Sequence, residues 1–363
     1  MRFAIACGGT GGHLFPGLAV AEVLRDNGHD VLLFVSEKQV DARALETCPG
    51  MASVKLPSIG LPSLVSPAVI PFLRRMLASL RRSGAAYRRA RPDAVLGMGG
   101  FTSIAPLVAA RRRGIPAFLH ESNAIPGKAN RLAARFCREV LLGFGECAPH
   151  FGRSRTRVTG TPIRRDLAAG APSREEARRV LGLDPHRTTL LVMGGSQGAA
   201  GINALMAQAA PHLAGAGVQI VHLAGERGVE AARAAYAASG LRAAVIPFCG
   251  RMQEVYPAAD LAVSRSGAAS LGELSWFGLP SVLVPYPYAA EDHQRLNAEI
   301  FVRSGAARMT QEKEATGENL ARLLTSLLES PETLSTMASA ARDQAPRDAA
   351  RKVAAVLEEA KSQ

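Results

Sequence analysis

Short apolar runs alternate with amphipathic stretches along the whole chain. Phe3–Ala6, Val31–Val35, Ala94–Met98, Ala117–His120 and Val140–Leu142 read as strands. A second series follows at Thr189–Met193, Gln219–Leu223, Ala244–Pro247, Leu261–Ser264 and Ser281–Pro285. Helical patterns lie between them, at Pro16–Asn27, Ser103–Arg113, Gly201–Gly215, Ala268–Phe277 and Asp292–Ser304. Alternation of this kind predicts parallel sheets covered by helices on both faces. The pattern restarts, because strand, glycine loop and helix at 3–24 recur at 189–210. The chain therefore reads as two Rossmann-like domains with a break near Gly160–Leu167, where Thr159-Gly160-Thr161-Pro162 supplies turn residues. Ligands of such sheets bind outside the carboxyl ends of the strands, which places the expected site in a central cleft.

Three glycine loops sit where a strand feeds a helix. The first, Cys7-Gly8-Gly9-Thr10-Gly11-Gly12-His13, brings backbone N–H groups and a titratable imidazole together. The second is Gly97-Met98-Gly99-Gly100-Phe101-Thr102-Ser103 and the third Gly194-Gly195-Ser196-Gln197-Gly198. The dinucleotide fingerprint does not fit the first loop, since Leu14 stands where its last glycine belongs. A phosphate loop of the G-x-x-x-x-G-K-[ST] form is also absent. Each loop alone is explained by turn-making; three on the same side of a strand point to a polyphosphate or lipid-phosphate ligand.

Charge sharpens this picture. Residues 1–163 hold 22 Lys and Arg against 10 Asp and Glu, whereas the rest of the 363 residues are balanced at 21 and 21. A basic excess confined to one half implies an anionic partner. Arginine pairs at 74/75, 81/82 and 88/89 repeat every seven residues, so one helix carries them on one face, with Ile70, Phe72, Leu73, Met76, Leu77 and Leu80 around them. That segment fits either an anionic membrane surface or an ordinary core helix with a solvated arginine face, and Ser83-Gly84 is a candidate break. Nucleic acid is not expected, because aromatics are only 5% and no nucleic-acid motif occurs. No signal peptide and no apolar run of about 18 residues are found, so no transmembrane helix is expected. Five cysteines (Cys7, Cys48, Cys137, Cys147, Cys249) without a C-x-x-C indicate neither a disulfide framework nor a zinc site, and a reducing cytosol is the expected setting.

In the second half, Ser264-Arg265-Ser266-Gly267-Ala268-Ala269-Ser270 follows a strand and opens a helix whose N–H groups suit a diphosphate. Glu273, farther along that helix, suits the two hydroxyls of a ribose, and the polar stretch from Pro285 to Asn297 suits sugar hydroxyls.

GGTGGHxFPG (8–17), GMGGFTS (97–103), HESNAIPGKANR (120–131), TGTPIR (159–164), GGSQGA (194–199), SRSGAxSxxE (264–273) and HQxxNA (293–298) occur in this order. The set spans nearly the whole chain and resembles the MurG-type undecaprenyldiphospho-muramoylpentapeptide β-N-acetylglucosaminyltransferases of peptidoglycan synthesis. The resemblance implies an α/β GT-B fold, with an acceptor- and membrane-binding domain over 1–163 and a UDP-sugar domain over 164–340. It also implies a C-terminal helix within 341–363 that packs back on the first domain. The implied donor is UDP-N-acetylglucosamine and the implied acceptor is lipid I. The implied place is the cytoplasmic face of the bacterial inner membrane, at its anionic surface, alongside other cell-wall synthesis proteins. Arg164 and Ser196 would contact the UDP diphosphate, helped by backbone N–H groups of Ala268, Ala269 and Ser270. Glu273 would hold the ribose, and Cys249 with Met252 the uracil. His293 and Gln294 would grip the sugar hydroxyls. Thr10, Gly11, Gly12, His13, Gly99 and Gly100 would face the acceptor diphosphate, with Asn123 near both sugars. Three departures stand out: Phe101 in place of tyrosine, Ile104-Ala105 in place of a more glycine-rich continuation, and Ser122 in place of glutamine.

Transfer to a hydroxyl needs a base titrating near neutrality. His13 is the first choice, with Glu121 and His120 as competitors. Arg164 and helix N-termini can take up the leaving charge of UDP. No Asp-x-Asp triplet occurs, so no metal ion and no other cofactor is expected. A glycosyltransferase with another acceptor, a UDP-sugar epimerase of the same architecture and a membrane-docked scaffold without activity are the rival readings.

Overall fold

The computed structural model describes residues 1–38, 41–42, 50–57, 60, 67–164, 167, 170–195 and 198–361. The chain divides into two compact units, one formed by Met1–Arg164 with Asp348–Gln363, the other by Arg165–Arg347. In the first unit the strands are β1 (Arg2–Ala6), β2 (Asp30–Ser36), β3 (Ala52–Leu56), β4 (Ala94–Gly97), β5 (Ala117–Glu121), β6 (Glu139–Leu142) and β7 (Thr156–Val158). They form one sheet in the order β3-β2-β1-β4-β5-β6-β7, parallel throughout. The second unit contains β8 (Thr189–Met193), β9 (Gln219–Leu223), β10 (Ala243–Ile246), β11 (Leu261–Ser264), β12 (Ser281–Leu283) and β13 (Ala307–Met309). Its sheet is also parallel, ordered β10-β9-β8-β11-β12-β13.

Central strands are buried on both faces, which is why they read as unbroken apolar runs. The first sheet lies between two apolar layers. One gathers Leu14, Leu18 and Leu24 of the helix Gly11–Asp26 with Val353, Val356 and Leu357 of the helix Ala349–Glu358. Asn27 and His29 both reach the Glu358 carboxylate, at 2.8 and 2.9 Å, and fasten that last helix to the first unit. The other layer holds Tyr87, Leu107 and Phe151.

Three strands escape the sequence pattern: β3, β7 and β13. All are sheet edges, all are short, and each carries an Arg or Lys, as edge strands do to block further pairing. The first helix begins at Gly11, five residues ahead of the expected Pro16. Proline reads as a helix start because a first turn needs no N–H from it, and here glycines supply that turn instead. Ser83-Gly84 does not break the arginine-rich segment, which is one helix, Val69–Ala90. Both residues face inward: Ser83 Oγ donates to the Ser79 carbonyl (2.8 Å), and the bare Gly84 backbone receives the Arg113 guanidinium. Among the described residues no helix is long and apolar enough to cross a membrane.

Gly17 lies where the helix Gly11–Asp26 passes close to the end of β1, since a Cβ there would stand 2.3 Å from Cys7 Cβ. Gly17→Ala is expected to destabilise the protein by roughly 1–3 kcal/mol through overpacking. A urea midpoint equal to that of the parent chain would contradict this packing.

Candidate active site

In the first unit the chain order reverses between β1 and β4, and a ligand crevice of an open α/β sheet forms at such a point. The loops leaving β1, β4 and β5 converge there. The β1 loop is braced by the buried Asp41 carboxylate, which accepts from Gly9 N–H (3.0 Å) and Ser36 N–H (2.6 Å). Lys38 Nζ donates to the Gly9 carbonyl at 2.9 Å. His13 lies in the first turn of the helix that follows, and its Nδ1 is 3.1 Å from Thr10 Oγ1.

The imidazole rests on the β4 loop. A Cβ at Gly99 would lie 3.2 Å from His13 Nε2, and one at Gly100 would lie 3.1 Å from its Cε1. Both glycines have positive φ (102° and 70°), a conformation costly for other residues. Gly99 N–H donates to Ser103 Oγ (3.1 Å) and Gly100 N–H to Asn130 Oδ1 (3.0 Å). Asn130 in turn donates to Glu121 Oε2 at 2.7 Å. Asn123 gives the other oxygen two donors, its backbone N–H (2.9 Å) and its Nδ2 (3.0 Å). Glu121, at the end of β5, is only 2% exposed. Burial pushes its pKa up, opposed by the Asn123, Asn130 and Gly127 donors. His120, beside it, is fully buried, with Nε2 3.0 Å from the Gly160 carbonyl and Nδ1 3.3 Å from Ser122 Oγ. Its pKa falls to about 4, mainly through burial. Arg164 lies 4.8 Å over the Phe15 ring. Phe101 packs edge-on against Phe72 at 6.1 Å.

In the second unit the corresponding reversal falls between β8 and β11. Ala268, Ala269 and Ser270 form the first turn of the helix Ala268–Trp276, behind Gly267. Neither this helix nor those starting at Gly11 and Phe101 has a capping side chain or an acid in its first turn, so no residue of the turn itself offsets the partial positive charge there. By contrast, the helix Arg174–Val180 is closed by a Ser173–Glu176 capping box. Glu273 is half-buried and accepts at 2.6 Å from the Tyr256 hydroxyl. Tyr256 directly follows the short helix Met252–Val255, so it ties the Cys249–Met252 segment to Glu273. Gln294 Oε1 accepts from Tyr286 N–H at 2.9 Å. His293 Nδ1 is 2.8 Å from the Ala290 carbonyl. Ser196 lies outside the described residues.

The structure thus gathers Thr10, Gly11, Gly12, His13, Gly99 and Gly100, with Glu121 and Asn123 linked to them through Asn130. In the second unit Glu273 is joined to Tyr256 and Gln294 to Ser266 and Tyr286, whereas Arg164 belongs to the first unit. Asp41, Asn130 and Tyr256 are new to the site. Asn130 sits within the HESNAIPGKANR motif, yet nothing in its spacing signals that it reaches back to Gly100. Tyr256 carries no sequence signal, because its bond to Glu273 exists only in the packed chain.

Two parallel α/β domains with these open helix N-termini are those of a GT-B glycosyltransferase, and solved structures agree. MurG from Acinetobacter baumannii matches with a TM-score of 0.76 at 30% identity, covering 99% of each chain. A putative UDP-N-acetylglucosamine 2-epimerase from Listeria monocytogenes shares the fold at 15% identity, with a TM-score of 0.75 over 99% of this chain and 95% of its own. Residues 3–142 match the N-terminal domain and residues 189–353 the C-terminal domain of glycosyltransferase family 28. Transferases named UDP-N-acetylglucosamine–N-acetylmuramyl-(pentapeptide) pyrophosphoryl-undecaprenol N-acetylglucosamine transferase are similar over nearly their full length. That of Halorhodospira halophila is 40% identical over 98% of this chain and 97% of its own; that of Pelobacter propionicus is 38% identical over 97% of both. The chain belongs to glycosyltransferase family 28 and, within it, to this MurG family.

His120 and, in the second unit, His222 are both buried with pKa values near 4, below their unfolded values. The unfolded chain therefore binds protons that the folded one refuses as pH falls from about 6.5 toward 4. Stability is lost over that window by up to ~1.4 kcal/mol per pH unit for each histidine. Urea midpoints measured from pH 7 to 5 should show this slope, and His120→Gln should flatten it. An unchanged slope in the variant would argue against a buried neutral His120.

Proposed function

We propose that this chain transfers N-acetylglucosamine from UDP-N-acetylglucosamine to the 4-hydroxyl of the muramoyl sugar of undecaprenyl-diphospho-MurNAc-pentapeptide. The product is lipid II. The near-full-length likeness to transferases of that name carries the reading. The acceptor oxygen attacks the anomeric carbon, the bond from that carbon to the UDP phosphate oxygen breaks, and configuration inverts. His13 takes the acceptor proton. Its ring is held by Thr10 and by the glycine backbone beneath it, which fixes its orientation. Glu121 is a positioning residue rather than the base, since donors engage both its oxygens and it is buried. Negative charge developing on UDP is met by Arg164 and by the N–H groups of Ala268, Ala269 and Ser270. Glu273 receives the ribose hydroxyls in an orientation set by Tyr256. No metal ion takes part in this reading; among the described residues no three His, Cys, Asp or Glu side chains gather to hold one.

The acceptor is a lipid, and the first unit carries a face suited to an anionic membrane. On the helix Val69–Ala90 the residues turned inward are Ser79, Ser83, Gly84 and Tyr87. Outward, Ile70, Leu73 and Leu77 are 61%, 58% and 47% exposed, beside the exposed Arg74, Arg75 and Arg81. Apolar side chains flanked by arginines, on the surface of a helix held down by small residues, match an interfacial helix. The chain then works at the cytoplasmic surface of the membrane that holds its acceptor.

Labelled N-acetylglucosamine supplied as its UDP donor should appear in the disaccharide lipid when a short-chain lipid I analogue and EDTA are present. His13→Ala should lower the rate by about 10²-fold or more. Product with little loss in the variant removes His13 as base, and loss of product on adding EDTA removes the metal-free reading. Replacing Arg74, Arg75, Arg81 and Arg82 together by glutamine should weaken binding to anionic liposomes while neutral liposomes show no change. Equal binding by parent and variant would sink the membrane assignment.

A further inference from the structure

Glu312 has no place in any motif, yet two segments of the second unit meet at its carboxylate and a third is reached from Lys313 beside it. Arg265, the residue after the end of β11, is 6% exposed, and its Nη2 lies 2.5 Å from Glu312 Oε2. Nη1 of the same guanidinium donates to the Val284 (2.9 Å) and Pro285 (3.1 Å) carbonyls. The guanidinium also lies 5.3 Å from the centre of the Tyr286 ring. The second segment is the first turn of the helix Ala200–Leu213. A Cβ at Gly201 would stand 2.3 Å from the Glu312 carboxylate, so only glycine admits the acid there. Next to Glu312, Lys313 Nζ lies 5.8 Å from the centre of the Tyr288 ring, reaching the third segment, the loop after β12.

That loop leads to His293 and Gln294, to which the family resemblance gives the hydroxyls of the donor sugar. Tyr286 N–H fixes Gln294 Oε1, Ser266 Oγ donates to the Gln294 carbonyl (2.7 Å), and Asn297 donates to the Ser266 carbonyl (3.0 Å). Glu291 and Asp292, just before His293, both adopt positive φ (54°), a strained conformation, and the Asp292 carboxylate pairs with Arg295. A carboxylate beside a helix N-terminus is favourably placed by the helix dipole, so Glu312 is stable where it stands and passes that stability to Arg265.

We propose that Glu312 is a positioning residue for donor-sugar recognition: through Arg265 it holds the loop from Val284 to Gln294 in the shape that reads the hydroxyls of the hexosamine. This rests on the assignment of the second unit to the UDP-sugar. A site that hydrogen-bonds substrate hydroxyls discriminates only when its groups are held in place. Loosening the clamp therefore weakens recognition of the sugar and leaves recognition of the nucleotide alone.

The test is calorimetric binding to the full chain of UDP, UDP-N-acetylglucosamine and its 4-epimer, UDP-N-acetylgalactosamine, for the parent, Glu312→Gln and Glu312→Asp. Glu312→Gln keeps the shape and removes the charge. It should weaken UDP-N-acetylglucosamine about tenfold, shrink the preference over the epimer by a similar factor, and leave UDP within twofold. Glu312→Asp, which keeps the charge, should recover part of the preference. Equal weakening of all three ligands would mark a general structural role and overturn the proposal, as would a Glu312→Gln variant indistinguishable from the parent. A parent that binds UDP-N-acetylglucosamine no differently from the epimer would overturn it too. Failure of transfer to lipid I with the binding split intact would instead count against the proposed reaction.

Discussion

Burial of one carboxylate organises the first unit. Glu121 ends a central strand where water is excluded, and a charge there is tolerated only if donors surround it. Asn123, Gly127 and Asn130 supply them. Their geometry is then no longer free: Asn130, pinned by Glu121, holds Gly100, and the Gly99–Gly100 backbone forms the floor on which His13 lies. The cost of hiding a charge is converted into the placement of an imidazole two loops away.

The second unit solves the same problem with cations and hydroxyls. Parallel strands deliver their loops to one edge, and each loop there must be held without blocking the helix N-termini behind it. Tyr256 reaches across to Glu273, Ser266 to Gln294, and Arg265 to the carbonyls that end β12. No side chain caps the helix Ala268–Trp276, so the N–H groups of the turn at Ala268–Ser270 are not consumed by capping. Elsewhere, at Ser173 and Thr316, the protein caps its helices in the ordinary way.

Much of this was legible in the residues, and the boundary has a physical origin. Central strands announce themselves because burial on both faces leaves only apolar residues, and glycine loops announce themselves because no other residue tolerates their backbone. The edge strands β3, β7 and β13 stayed hidden because half of each faces solvent and its composition looks like a loop. The bracing residues stayed hidden for a different reason. Asp41, Asn130, Tyr256 and Glu312 act on partners far from them in sequence, and a lone polar residue has the same appearance whether it meets water or a buried amide. Gly84 was misleading in the opposite sense: it resembles a helix breaker, but it serves to admit Arg113.

The helix Ala349–Glu358 completes the core of the first unit, although the whole of the second unit intervenes in the chain. On the ribosome, the second unit is therefore fully synthesised while the first still lacks Val353, Val356 and Leu357. The part of the protein made first is the last to be finished. Until residues 349–360 emerge, the helix that carries His13 lacks the part of its cover given by Val353, Val356 and Leu357, and a nascent chain stalled before that point offers this surface to chaperones or to other nascent chains.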